Sequence, residues 1–269
     1  MKVFISCDME GVAGVVDWRE VDINDALYGR TQNQMTKEVS AVCMAAQTIG
    51  ATEILVKDAH ATGLNLKIDS LPHDINIHRS WAKHPYSMMF GLDSHFDAVI
   101  LTGYHDASYG NGNPLAHTMS ETKYQWITLN GYIMSEMMMN AYIAAYEKVP
   151  VIAVTGDQGV CDAAVCLMPH VKTVAVKKGE GGGCISMHPD RAIEEINSTV
   201  REAFRELKAD PEKFVLKLPE VFVMEINFKN HIDAYKAMHY PGVTKIDEHT
   251  IKYETNDYLD LLKMFFFAG

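Results

Sequence analysis

Three short apolar runs of this chain each end in residue types that bind metal ions. Val3–Cys7 runs into Asp8-Met-Glu10, Glu53–Lys57 into Asp58-Ala-His60, and Ala98–Thr102 into Gly103-Tyr-His105. Runs rich in β-branched residues read as buried parallel strands. Open α/β sheets bind ligands just beyond the carboxyl ends of such strands. Glu136, at the start of a helical pattern, can join the same set. Asp8 and Glu10 are two positions apart, so in extended chain both side chains point to one face. Two carboxylates that close repel each other, and a divalent cation removes the conflict. Gly11 and Gly14 then let the backbone turn away. Carboxylates mixed with imidazoles suit zinc, and to a lesser degree manganese, iron or cobalt. Asp8, Glu10, His60, His105 and Glu136 exceed the three protein ligands of a single catalytic zinc. They match two ions sharing a bridging carboxylate, roughly 3.5–4 Å apart. The plainer alternative makes Asp58 a turn former and Glu136 a first-turn partner of its helix dipole.

The elements that must position these residues are also visible. Besides the three runs, Val149–Thr155 reads as a strand, and Gln125–Leu129 as a strand entering a tight turn at Asn130-Gly131. Arg30–Ile49 places Met35, Val39, Val42, Cys43 and Ala46 on one helix face, with Gly50 as its stop. Ser135 is the N-cap of a helix running to Tyr146. Asp162–Met168 reads as a short helix ended by Pro169, and Asp190–Leu207 as a long amphipathic one opened by Pro189. This alternation predicts an α/β fold, a mostly parallel sheet with helices on both faces. The last third differs. Glu220–Asn227 alternates like a half-exposed antiparallel strand, His249–Glu254 reads as another, and Asn256–Phe267 as a closing helix. The expected organisation is a metal-binding α/β portion over 1–170 and a C-terminal α+β portion over 171–269. No Ser- or Pro-rich linker marks the boundary, so a single domain is the alternative. Lys177-Lys178 and the glycines that follow lack the Gly-Lys-Ser/Thr end of a P-loop and read as a flexible loop at the site's rim.

Composition narrows the class of function. The formal net charge of -11 argues against non-specific binding to nucleic acid. The five cysteines are odd in number and lack Cys-x-x-Cys spacing, so free thiols in a reducing compartment are expected. No apolar stretch is long enough to span a membrane, and Met1-Lys2 passes straight into a strand, so a cytoplasmic protein is expected. The Phe265–Phe267 run would be awkward on a monomer's surface and points to a homo-oligomer. The methionines around Glu136 read as core or subunit contact. His73, His78, His84, His95, His170, His188, His231, His239 and His249 read as turn, surface or packing residues.

Ser6-Cys7-Asp8-Met9-Glu10-Gly11 resembles the Ser-x-Asp-x-Glu-Gly signature of the zinc-dependent D-aminopeptidase family. The likeness continues, in the family's order, through Asp58-Ala-His60, Gly103-Tyr-His105, Ala116-His117-Thr-Met-Ser120, Ser135-Glu136, Asn140-Ala-Tyr142 and Val154-Thr-Gly-Asp157. It covers roughly the first 160 residues, and the remainder matches more loosely. The resemblance implies that Asp8 bridges two Zn2+ ions, with Glu10, His60, His105 and Glu136 completing the two coordination spheres. It implies that His117 is the catalytic histidine, and that the chain is an aminopeptidase acting on short peptides or amides with an N-terminal D-amino acid. It also implies a large homo-oligomeric ring of decamer size. One departure is the loop Asp106–Ala116, slightly longer than in the type member and carrying Gly110, Gly112 and Pro114.

With an ordinary pKa near ~6.5, His117 suits a proton shuttle between attacking water and leaving amine; direct nucleophilic attack by it stays open. Two other classes compete: another metal-dependent amidase, deacetylase or phosphoesterase on the same ligands, and a non-catalytic binding protein.

Overall fold

A computed structural model describes residues 1–269. In chain order the elements are β1 (Lys2–Cys7), α1 (Tyr28–Thr48), β2 (Glu53–Asp58), β3 (Asn76–His78), β4 (Ala98–Tyr104), β5 (Tyr124–Leu129), β6 (Tyr132–Ile133), α2 (Glu136–Tyr146), β7 (Val151–Asp157), α3 (Gln158–Leu167), β8 (Lys172–Glu180) and β9 (Gly183–Ser186). Then come α4 (Pro189–Ala209), β10 (Phe222–Phe228), α5 (His231–Ala237), β11 (Thr244–Lys245), β12 (Thr250–Thr255) and α6 (Tyr258–Ala268).

The larger sheet has the order β3-β2-β1-β4-β7-β8-β9. Every pairing in it is parallel except β8 with β9, so the expected mostly parallel α/β sheet is what the chain builds. Alternation along the strands feeds two cores. In β1, Val3, Ile5 and Cys7 face one core with α1 and α4, while Phe4 faces the other. In β4, Ala98 and Ile100 join the first core, and Val99 and Leu101 the second. The α1 face read from spacing is the buried one, Met35, Val39, Val42, Cys43 and Ala46, and the amphipathic α4 buries Ala192, Ile196, Val200, Ala203, Phe204 and Leu207.

The second sheet is antiparallel, order β11-β12-β10-β5-β6. In β10, Phe222, Met224, Ile226 and Phe228 are buried and pack in the second core with residues of α2 and α6. This sheet takes β5 and β6 from the middle of the chain, and the larger sheet takes β8, β9 and α4 from beyond residue 170. Lys177–Gly183, expected to be a flexible loop, is instead the hairpin of β8 and β9, turning at Gly181 with φ +58°. The alternation of Val174 and Val176, both buried, is the strand signal there, and the glycines mask it. No helix is long and apolar enough to cross a membrane.

Strand order fixes where a site can form. From β1 the chain builds outward through β2 and β3 on one side, and β4 and β7 lie on the other. The carboxyl ends of β1 and β4 therefore flank a topological switch point, where loops diverge and leave a crevice. The segment after β1 is tied to α1 by Glu38, which accepts from the Ala13 amide at 3.1 Å and from the Gln34 side chain at 3.0 Å. Burial pushes the Glu38 carboxyl up to about 7. Between its unfolded value near ~4.5 and about 7 the folded chain holds a proton that the unfolded chain has released, so stability falls as pH rises through that window. Glu38→Gln removes this loss. The gain in melting temperature of the variant over the native chain, measured by circular dichroism with a chelator present, should be larger at pH 8 than at pH 5. An equal difference at both pH values would show that Glu38 is not buried as a neutral acid.

Candidate metal centre

Asp8 and Glu10 leave the end of β1 in a loop pressed against β4. The Asp8 amide donates to the Thr102 carbonyl at 2.9 Å and the Gly11 amide to the Gly103 carbonyl at 2.8 Å. This approach requires glycine. A Cβ at Gly11 would lie 1.7 Å from the Tyr104 carbonyl oxygen, and one at Gly103, where φ is +73°, would lie 2.3 Å from that of Asp8. His60 follows β2, His105 follows β4, and Glu136 opens α2, whose N-cap is Ser135 as expected.

All six residues singled out for chemistry converge, in two groups. Asp8, Glu10 and His60 form one, and His105, His117 and Glu136 the other, each with donor atoms within 4.8 Å of one another. His60 Nδ1 lies 3.0 Å from Glu10 Oε2 and 3.4 Å from Asp8 Oδ1. His105 Nε2 lies 3.4 Å from Asp8 Oδ2 and 3.5 Å from Glu136 Oε1, and His117 Nε2 lies 3.6 Å from the same Glu136 oxygen. Asp8 thus turns one carboxylate oxygen toward each group. Asp58 does not join them. Its carboxylate accepts from the Asn65 and Leu66 amides at 2.6 and 2.8 Å, the turn-forming role.

Each histidine is oriented through its other nitrogen. A carbonyl can only accept, so His60 Nε2 donates to Val21 at 2.9 Å, His105 Nδ1 to Asp106 at 2.8 Å and His117 Nδ1 to Leu115 at 2.9 Å. In the neutral imidazoles, the nitrogens facing the carboxylates are then the ones that carry the lone pairs a metal requires. Asp8 Oδ2 and His105 Nε2 are buried without a hydrogen-bond partner. Buried polar atoms are otherwise almost always satisfied. This set of donors fits a divalent cation.

The electrostatics say the same. Burial, with the Glu10 charge beside it, pushes the Asp8 carboxyl up to about 7, against a hydrogen bond from His60. Burial also acts on Glu10 and Glu136, but His60 and His105 respectively outweigh it and hold both carboxyls low. Burial disfavours charge on His60 and His105, yet Glu10 and Glu136 drive both imidazoles well above their usual range. The cluster demands positive charge, which protons or a divalent cation can supply. His117 differs. Burial, then the charge of His105 stacked on it at 4.2 Å, lower its imidazole.

Supporting residues complete the site, and spacing alone missed them. Lys177 of β8 is buried, and its ammonium donates to the Glu10 carbonyl and, at 2.6 Å, to that of Val15. Asn113 Nδ2 donates to the Glu10 carbonyl at 3.0 Å and to Asp157 Oδ2 at 2.8 Å. The Asp106 carboxylate packs against Gly112 and Gly159, where no Cβ would fit, and accepts from the Gly112 amide at 2.8 Å. The slightly long loop is thereby folded back to present His117. Asp157, at the carboxyl end of β7, obeys the strand-end logic that found His60 and His105. A cavity of about 470 Å3 opens above Asp8, Glu10, His60, His117 and Glu136, with Trp18, Trp81, His84 and Met119 among its other lining residues.

Gly11→Ala should cost about 1–3 kcal/mol of stability through overpacking. By displacing the loop that carries Asp8 and Glu10 it should weaken divalent-cation binding roughly 10–100-fold. Thermal melting and zinc titration check this. Unchanged zinc affinity would mean that the loop's approach to β4 does not set the ligand geometry.

Residues 1–267 match the model of a peptidase family, M55, described as D-aminopeptidase. The chain is 32% identical over 262 residues to a D-aminopeptidase of Bacillus subtilis (strain 168), covering 97% of this chain and 93% of that protein. Its fold matches the solved structure of the Zn-dependent D-aminopeptidase DppA from Bacillus subtilis, described as a self-compartmentalizing protease. The TM-score is 0.91 at 28% sequence identity, covering 100% of this chain and 96% of that one.

Proposed function

The chain belongs to the D-aminopeptidase family of hydrolases, and from that premise we propose that it releases N-terminal D-amino acids from short peptides or amides at a pair of zinc ions. The observation that carries the pair is Asp8, whose two oxygens face two separate donor groups. Asp8 would bridge, with Glu10 and His60 on one side and His105 and Glu136 on the other. Three buried carboxylates also carry more negative charge than one divalent ion neutralises. Manganese, cobalt or iron would suit the same donors less well.

Bound there, the ions would supply Lewis acidity toward the scissile carbonyl and would lower the pKa of a bound water toward neutrality. The chain's own residues do the rest. His117 lines the cavity, whereas His105 is sealed beneath it. Its Nδ1–H is held by the Leu115 carbonyl, so Nε2 is the atom that accepts the proton from attacking water and passes it to the leaving amine. Its lowered pKa keeps this imidazole neutral, and therefore basic, at neutral pH. The Trp18 ring packs at a steep angle to the His117 ring, with 5.2 Å between their centroids, and covers part of it.

The exposed Tyr109, Tyr132, Ile133 and Phe267 support assembly into a homo-oligomeric ring, the arrangement that a self-compartmentalizing relative suggests. The five cysteines form no disulfide, which supports a cytoplasmic setting.

Atomic spectroscopy should find two zinc ions per chain in the native protein, and fewer in Asp8→Asn. His117→Ala should keep both ions while kcat on a D-alanyl dipeptide falls roughly 10²–10⁴-fold. A single ion in the fully loaded native protein would overturn the paired centre. Retained turnover in His117→Ala would remove that residue from the mechanism.

A further inference from the structure

Beyond the reaction itself, the cavity has a wall whose construction the metal centre does not explain. Lys57, at the penultimate position of β2, is fully buried and makes no ion pair with a carboxylate. Its ammonium donates to the carbonyls of Asp58 at 2.6 Å and Ser80 at 2.8 Å, and lies 4.2 Å from the centre of the Trp81 ring. Trp81 Nε1 donates in turn to the Ala61 carbonyl at 2.7 Å, and the Ser80 amide to that of Gly63 at 2.8 Å. Trp81 is thus fixed from beneath by a cation and from its edge by the segment that carries His60. A buried lysine is costly unless its charge is used, and the face of an indole is the best aromatic partner for a cation.

Strain gathers at the same wall. Eight non-glycine residues have positive φ, and four of them line the cavity: Ala61 at +41°, Lys83 at +57°, Ser87 at +44° and Met119 at +64°. Ser80, next to Trp81, is a fifth at +63°. Such conformations persist where the surroundings over-determine them, and they cluster at ligand-binding segments. Much of the wall is apolar. Trp18, Trp81, Met88, Phe90 and Met119 line the cavity beside Lys83 and Ser87.

We infer that Trp81, seated by the Lys57 ammonium, is the specificity wall that receives the side chain of the substrate's N-terminal residue, and that the cavity selects a large apolar or aromatic side chain there. This rests on the aminopeptidase reading. An enzyme of that kind encloses the residue it removes and lets the remainder of the peptide leave by the mouth. A volume of about 470 Å3 holds far more than a methyl group, and a small side chain would leave the tryptophan and methionine faces in water. Lys57 acts only through Trp81 and is a positioning residue.

The test compares zinc-loaded native protein, Trp81→Ala and Lys57→Met on D-phenylalanyl and D-alanyl dipeptides that share their second residue. The native protein should favour the D-phenylalanyl substrate by roughly tenfold or more in kcat/KM, chiefly through KM. Trp81→Ala should bring the ratio near one while zinc content is unchanged. Lys57→Met should narrow the ratio and make tryptophan emission more readily quenched by acrylamide, because the ring is released. A native preference for D-alanine, or a ratio unaltered in Trp81→Ala, overturns the inference; unchanged quenching in Lys57→Met overturns the seating of Trp81. If the zinc-loaded native protein cleaves neither dipeptide, the aminopeptidase reading is what fails. Calorimetric titration with D-phenylalaninamide and D-alaninamide then decides the selectivity alone, and equal affinities refute it.

Discussion

Three carboxylates, Asp8, Glu10 and Glu136, are buried around one small space with His60 and His105 between them. Their mutual repulsion in a low-dielectric interior is the constraint that the surrounding structure answers. Burial, with the Glu10 charge beside it, pushes Asp8 up to about 7, and Glu10 and Glu136 drive the two imidazoles well above their ordinary range despite burial. The same geometry presents unpartnered atoms, Asp8 Oδ2 and His105 Nε2, to whatever positive charge takes the place of those protons. An apolar core repacked around these positions would be cheaper for stability alone.

The layer behind these groups works by fixing the backbone. Carbonyls of Val21, Asp106 and Leu115 each take one imidazole N–H. Lys177 and Asn113 both donate to the Glu10 carbonyl, so the loop after β1 is held by β8 and by the loop that follows β4. Lys177 pays for its burial in a pKa brought down to about 8, with nearby acidic groups limiting the drop. The glycines at 11, 103 and 156 belong to the same layer, because each admits a backbone approach that a Cβ would block. A site assembled this way is stiff where charge must be placed. It is strained along the cavity lining, at Ala61, Lys83, Ser87 and Met119.

Much of this was open to reading in the chain. Asp8, Glu10, His60 and His105 follow apolar runs directly, and a strand's carboxyl end is a local feature that needs no knowledge of its neighbours. Ser135 before Glu136, and the helix faces of α1 and α4, are equally local, set by capping chemistry and by the 3.6-residue period. His117 follows no strand and precedes no cap. Only motif resemblance singled it out, and the folding of its loop around Asp106 places it beside His105.

What the sequence by itself determined was therefore the kind of chemistry and the α/β class, because periodicity and strand-end residues are encoded over a few positions. The tertiary structure decided the order of the strands, and with it everything carried by distant contact. It put β1 and β4 side by side so that one Asp8 carboxylate could face two donor groups. It joined β5 and β6 to β10 in a second sheet, and turned a glycine-rich stretch into a hairpin whose buried lysine grips Glu10. It set the Lys57 ammonium under Trp81. None of these has a local signature, since each depends on which surfaces the whole chain buries against each other, a cooperative outcome of packing rather than of spacing.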